Sequence, residues 1–157
     1  MLIIFDKDDT LVHSLDGRPA NTLDEQVLID GVVERCAQLR AEGHTLAIAS
    51  NQGGAAFGYF SVADAHALVA QVAKAIGAQH YAVCVCHPHG SVPGAARESE
   101  YRKPNPGMLL YLMDALGFGA GDTIYVGDRD DDREAANRAG VRFAWAQEFF
   151  AQENLPG

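Results

Sequence analysis

Leu2-Ile3-Ile4-Phe5-Asp6-Lys7-Asp8-Asp9-Thr10 sets four consecutive apolar residues against an abrupt run of acids around one lysine. An unbroken apolar stretch of this length is the pattern of a strand buried on both faces of a parallel sheet. Similar runs recur at 45–49, 81–85, 123–126 and 141–144, with helical patterns between them. Val62, Ala65, Val69, Val72 and Ile76 keep helical spacing behind Ser61 and Asp64, a capping-box start, and Gly77 closes the segment. Asn105 before Pro106 predicts an N-cap with proline in the first turn, with Leu109, Leu112, Met113 and Leu116 as the apolar stripe and Gly117 as the stop. Two more helices are expected near 32–42 and 131–139, ending at Gly43 and Gly140. Strands alternating with helices require crossover connections, which predicts an α/β, three-layer α/β/α Rossmann-like fold around a parallel sheet. In such sheets ligands bind beyond the carboxyl ends of the strands, where the acids stand here. The loops 11–30, 51–60 and 87–103 are expected at that rim.

The chain of 157 residues reads as one domain spanning 1–157, and its 48% hydrophobic and 21% charged residues exclude a disordered or low-complexity chain. No apolar run is long enough to span a bilayer and no secretory leader pattern stands at the N-terminus, so the expectation is a soluble cytoplasmic protein without a membrane partner. A net charge of −9 disfavours non-specific nucleic-acid binding. Cys36, Cys84 and Cys86 are odd in number and two are one residue apart, which argues for reduced thiols rather than a disulfide framework.

The acids after the first strand carry a chemical expectation. Strand side chains alternate, so Asp6 and Asp8 project to one side if extended geometry continues, and two carboxylates in one small volume favour a hard cation such as magnesium. Taken alone the motif is equally a polar loop after a strand. Asp128 follows another apolar run through Gly127 and is placed to supply a further oxygen ligand; Asp132 serves either the site or the dipole of the next helix. Ser50-Asn51-Gln52-Gly53-Gly54 offers a hydroxyl and successive backbone N–H groups to an anion, although such a sequence is also an ordinary turn. Lys103, just before a helix, adds a positive charge.

In combination, D-x-D-x-T after the first strand, serine after the second, lysine before a helix and G-D-x-x-x-D after a later strand resemble the four motifs of the haloacid-dehalogenase-like (HAD) phosphohydrolases. The resemblance covers nearly the whole chain. It implies Asp6 as nucleophile, Asp8 as general acid/base, Ser50, Asn51 and Lys103 as phosphate holders, and magnesium held by Asp6, Asp8 through its backbone carbonyl, and Asp128, with Asp132 in support. Asp9 stands where many relatives have glycine. Ile29-Asp30-Gly31-Val32, Ser50 to Gly54 and Arg102-Lys103-Pro104-Asn105-Pro106-Gly107-Met108 resemble, more narrowly, the subfamily IIIA branch of heptose-bisphosphate and histidinol-phosphate phosphatases, which lack a large cap domain.

The sequence departs from that branch twice. The branch often carries a zinc loop, but here Cys84 and Cys86 are followed by Ser99 and Tyr101 where the second ligand pair belongs, so zinc is not expected; His87 and His89 are the residues that would have to improvise a site. Phe57 stands where heptose-phosphate relatives typically carry arginine, which changes how an anionic or hydroxylated substrate is recognised. Phe57, His87, His89 and Arg102 are therefore the candidate specificity residues. The resulting expectation is a magnesium-dependent phosphomonoesterase acting through an aspartyl-phosphate on a small phosphorylated metabolite such as a sugar phosphate. The alternatives are a polynucleotide 3′-phosphatase acting on a nucleic-acid end, which the acidic charge disfavours, and a non-catalytic phosphate-binding module. Oligomeric state has no signature in the sequence.

Overall fold

The computed structural model describes residues 1–153 and Leu155; positions 154, 156 and 157 of the expected domain lie outside the described residues. Five strands form one sheet: β1 (Leu2–Phe5), β2 (Thr45–Asn51), β3 (His80–Cys84), β4 (Thr123–Gly127) and β5 (Arg142–Trp145), in the spatial order β3-β2-β1-β4-β5. All neighbouring pairs are parallel. The helices are α1 (Val32–Ala41), α2 (Val62–Ile76), α3 (Gly107–Leu116), α4 (Asp130–Ala139) and α5 (Ala146–Ala151).

The apolar opening run becomes the central strand, and all four of its side chains are 0% exposed. Alternation divides them between two cores. Ile3 and Phe5 pack with α1, α2 and α5 through Leu39, Val69 and Phe149, while Leu2 and Ile4 pack with α3 and α4 through Leu109, Leu112 and Ala135. Each such side chain contributes about 1.5–3 kcal/mol by leaving water, so the central strand anchors both layers. This is the α/β/α architecture expected from the sequence. Among the described residues no helix is long and apolar enough to cross a membrane.

Local signals set most element ends. Ser61 accepts from the Asp64 N–H at 3.0 Å and Asp64 reciprocates on the Ser61 N–H at 3.0 Å, closing the expected capping box of α2. One start differs from expectation: α3 begins at Gly107 with Pro106, not Asn105, at the N-cap. The Asn105 side chain is engaged elsewhere, donating to the Ser99 carbonyl at 3.0 Å and accepting from Arg138 at 3.1 Å. β2 also runs past residue 49 through Ser50 and Asn51, because β3 pairs with it as far as Asn51↔Cys84.

Parallel register lines up the strand ends. Phe5 lies beside Ile48 and Val126, so Asp6, Ser50 and Asn51, and Asp128 emerge together at the carboxyl edge.

Candidate active site

The site is built where β1 stops. The Asp6 N–H still donates to the Val126 carbonyl at 2.9 Å, which holds Asp6 against β4. The chain then turns sharply, with the N–H groups of Thr10, Leu11 and Val12 all donating to the Lys7 carbonyl at 3.3, 2.9 and 3.2 Å. Asp9 adopts φ 59°, a left-handed conformation that aspartate tolerates better than most residues, and its carboxylate accepts from the Ser14 N–H and hydroxyl. That explains how aspartate can occupy the place of a glycine.

Carboxylate oxygens of Asp6, Asp128 and Asp132 all lie within 4.8 Å of one another. Lys103, arriving from the loop before α3, is buried among them. Its ammonium donates to Asp6 Oδ1 at 2.7 Å, Asp132 Oδ1 at 2.7 Å, the Tyr125 hydroxyl at 2.7 Å and the Ala49 carbonyl at 3.2 Å. Asp132 is in turn fully engaged: Oδ1 also accepts from the Tyr125 hydroxyl at 2.9 Å, and Oδ2 accepts the N–H groups of Asp128 and Arg129 at 3.2 and 3.1 Å. It therefore braces both Lys103 and the exit from β4. The Thr10 hydroxyl reaches Asp128 Oδ1 at 3.5 Å, linking the first acidic turn to the fourth strand.

The electrostatics show a deficit of positive charge. Burial above all drives the Asp6 carboxyl up to about 8, a net rise that the Lys103 ammonium opposes and the Asp132 and Asp8 charges reinforce. Asp128 is raised as well, chiefly by burial. Burial works to lower Lys103, but Asp6 and Asp132 outweigh it and hold the ammonium above its ordinary value. One lysine thus serves two buried carboxylates, and Asp6 and Asp128 keep oxygens for a further cation. A hard, oxygen-seeking ion such as magnesium fits this donor set.

Asp8 stands beside this cluster with both oxygens engaged. Oδ1 accepts from Lys7 at 2.7 Å and Oδ2 from Gln52 Nε2 at 3.0 Å. Gln52 Nε2 also donates to the Ser50 hydroxyl at 2.7 Å, and Ser50 is fully buried beneath the turn. Asn51 clamps the backbone of Lys103 from both directions, donating to its carbonyl at 3.3 Å and accepting its N–H at 3.1 Å. A cleft of about 550 Å³ opens over Asp6, Asp8, Asn51, Gln52 and Lys103.

Of the four candidate specificity residues, Phe57, His87 and Arg102 line the cleft, while the His89 ring lies against that of His87, centroids 5.6 Å apart and tilted by 48°. Phe57 lies between the rings of Tyr59 and His87, with centroids 5.7 and 4.8 Å away. Arg102 donates to the Cys86 carbonyl at 3.2 Å. Cys84 is buried near Ser99 and burial raises its thiol, whereas Tyr101 lines a groove at the β3 edge with Tyr81 and Met108.

Several residues at the site carry no simple sequence signal. Tyr125 sits in an apolar strand, and its hydroxyl alone hints at a partner. Lys7 and Gln52 read as turn residues, Arg18 and Asn21 reach the cleft from the loop before α1, and Arg129 enters it from within the last motif.

Comparison with known proteins agrees with this architecture. The family model described as polynucleotide kinase 3 phosphatase matches residues 1–154. The D-glycero-beta-D-manno-heptose-1,7-bisphosphate 7-phosphatase of Pseudomonas putida is 35% identical over 146 residues, covering 90% of this chain and 79% of that protein. The enzyme of the same description from Yersinia pestis is 31% identical over 144 residues, covering 88% of this chain and 76% of its own. Among solved structures, the D,D-heptose 1,7-bisphosphate phosphatase from B. bronchiseptica, complexed with magnesium and phosphate, is similar with a TM-score of 0.75 and 28% identity, over 99% of this chain and 88% of that one.

Proposed function

The chain belongs to the polynucleotide kinase 3 phosphatase family, on the heptose-bisphosphate branch of the HAD phosphatases, and from this premise we propose that it is a magnesium-dependent phosphomonoesterase of small phosphorylated metabolites, a sugar phosphate foremost, working through an aspartyl-phosphate. The observation that carries this reading is the convergence of Asp6, Asp132 and buried Lys103 in the lining of one cleft, with an Asp128 oxygen within 4.8 Å of those of Asp6 and Asp132. The cleft volume, about 550 Å³, suits a small ligand. The same reading treats residues 1–157 as one phosphatase domain.

In this mechanism an Asp6 carboxylate oxygen attacks phosphorus, and the bond from phosphorus to the substrate's alcohol oxygen breaks. Asp8 gives its proton to the departing oxygen and then takes one from the water that attacks the aspartyl-phosphate, which releases phosphate and restores Asp6. Lys103 faces the nucleophile at 2.7 Å and is placed to share its charge with the transferring group, while the N–H groups of the turn after β2 are its natural companions. Asn51 keeps Lys103 in place by gripping its backbone. Asp6, the Asp8 backbone carbonyl and Asp128 would hold magnesium, which supplies positive charge against the repulsion between an anionic nucleophile and an anionic ester.

Phosphate release from a panel of phosphate esters, with magnesium or with chelator, tests the proposal. Release that requires magnesium and vanishes in Asp6→Asn supports it. Ester binding without turnover would indicate a phosphate-binding module instead. Activity confined to 3′-phosphorylated oligonucleotides would replace the metabolite reading with the nucleic-acid one.

A further inference from the structure

Lys7 follows the proposed nucleophile directly, yet its side chain is 0% exposed and its ammonium pairs with Asp8. Lysine is seldom fully buried, because removing an ammonium from water costs several kcal/mol per ion unless partners replace the water. Here the partners are specific. The Lys7 ammonium donates to Asp8 Oδ1 at 2.7 Å and to Gln26 Oε1 at 2.7 Å. Gln26 is itself tied to α2, its Nε2 donating to the Leu68 carbonyl at 2.9 Å and to Gln71 Oε1 at 2.8 Å. A continuous chain of hydrogen bonds therefore runs from a helix on one face of the sheet to one oxygen of Asp8. Gln52 holds the other oxygen from the opposite side.

We infer that Lys7, backed by Gln26, is a positioning residue that fixes the Asp8 carboxyl for proton transfer to the leaving alcohol. The inference rests on the proposed role of Asp8 and extends it to residues that never touch substrate. The Lys7 ammonium, at 2.7 Å, holds Oδ1 as an acceptor, while Oδ2 accepts only the neutral amide of cleft-lining Gln52 at 3.0 Å and keeps a second lone pair for the proton it transfers. A carboxyl free to swing would present either oxygen, and small errors in the placement of a reacting group are costly in rate. The buried cation also provides what a packed apolar side chain of the same volume would not: a directional bond to one atom of Asp8.

Leaving-group dependence distinguishes this role from a merely structural one. An aryl phosphate such as 4-nitrophenyl phosphate expels its oxygen with little need of a proton, whereas an alkyl phosphate needs one. In Lys7→Met, kcat/KM for alkyl phosphates should fall by about tenfold to a hundredfold, while that for 4-nitrophenyl phosphate changes by less than about threefold. A plot of log kcat/KM against the pKa of the leaving alcohol should consequently steepen. Lys7→Arg should recover most of the alkyl-phosphate rate. Gln26→Leu, which removes only the tether behind the lysine, should shift the same plot in the same direction by a smaller amount, and it decides the matter should Lys7→Met not fold.

Equal losses on aryl and alkyl esters in a folded Lys7→Met, or an unchanged plot in Gln26→Leu, would overturn the inference. Asp8→Asn, measured alongside, separates the two levels of argument. If it fails to steepen the plot, the role proposed for Asp8 falls and the Lys7 inference falls with it. If it steepens the plot and neither Lys7→Met nor Gln26→Leu does, only the Lys7 inference is lost.

Discussion

Replacing Lys103 with methionine should destabilise the protein severely, and magnesium should return part of the loss. Lys103 has a side chain 4% exposed and forms ion pairs of 2.7 Å with Asp6 and with Asp132, whose side chains are 10% and 2% exposed. Methionine keeps much of the volume but leaves two carboxylates without their shared cation. Breaking one side of a buried ion pair costs about 3–5 kcal/mol, against a total stability of about 5–15 kcal/mol for a domain. At about 2–4 °C per kcal/mol for a chain of this size, the melting temperature should drop by about 6–20 °C in chelator. Urea denaturation followed by circular dichroism measures the free energy directly. Adding Asp132→Asn to Lys103→Met should recover stability, because one of the stranded charges is gone. Excess magnesium should stabilise Lys103→Met more than the unsubstituted protein, since a cation binding only the folded state acts by mass action and binds a more negative site more tightly. A loss below about 1 kcal/mol, the range of an exposed pair, or equal stabilisation of both proteins by magnesium, would refute the charge argument.

Three smaller perturbations follow from the same geometry. Asp9 stands at φ 59° with its carboxylate on Ser14, so Asp9→Ala should cost about 1–2 kcal/mol more than Asp9→Gly in urea titrations, and the reverse order would show that the left-handed backbone is not what matters. A side chain at Gly127 would bring its Cβ to 2.6 Å from Asp132, so Gly127→Ala should displace that brace, cost about 1–3 kcal/mol and lower phosphatase kcat/KM; an equally stable and active variant would refute this. The hydrogen bond from Arg18, helped by the Asn21 N–H, holds Glu25 at about 2 against an ordinary 4.5. A depressed acid stabilises the fold above its unfolded value, so this contribution should be lost as pH falls from about 4.5 toward 2, and Arg18→Gln should flatten the fall of the urea midpoint across that window.

The sequence made the frame of the site legible for a physical reason. In a parallel sheet the strands end together, so polar residues just past the apolar runs, Asp6 directly after Phe5 and Asp128 two residues after Val126, are carried to one edge whatever the strand order. Periodicity and capping chemistry likewise place α2, because Ser61 and Asp64 act on neighbouring backbone. Asn105 shows where such local reading stops: the same residue type that caps helices was drawn off by Ser99 and Arg138, one six positions away and the other 33.

What stayed illegible is the wiring of polar groups across layers. Lys7 lies between two acids in sequence, a setting that reads as a solvated turn, and nothing local indicates that its ammonium meets a glutamine 19 positions on, which is itself fixed by a helix 42 and 45 positions further. Apolar pattern reveals which face of an element turns inward, because burial averages over many residues. A single buried hydrogen bond obeys no period, since it depends on where two side chains from separate elements end. The pattern of what was missed is therefore informative. Tyr125, Gln52 and Lys7 all contact a motif acid, the motif lysine or Ser50, and none is itself one of the defining acids, the serine or the lysine of the four motifs. The motif residues name the reacting groups, and the groups behind them fix how those are aimed, so substitutions in this supporting set should move rate and leaving-group dependence while leaving the four motifs intact.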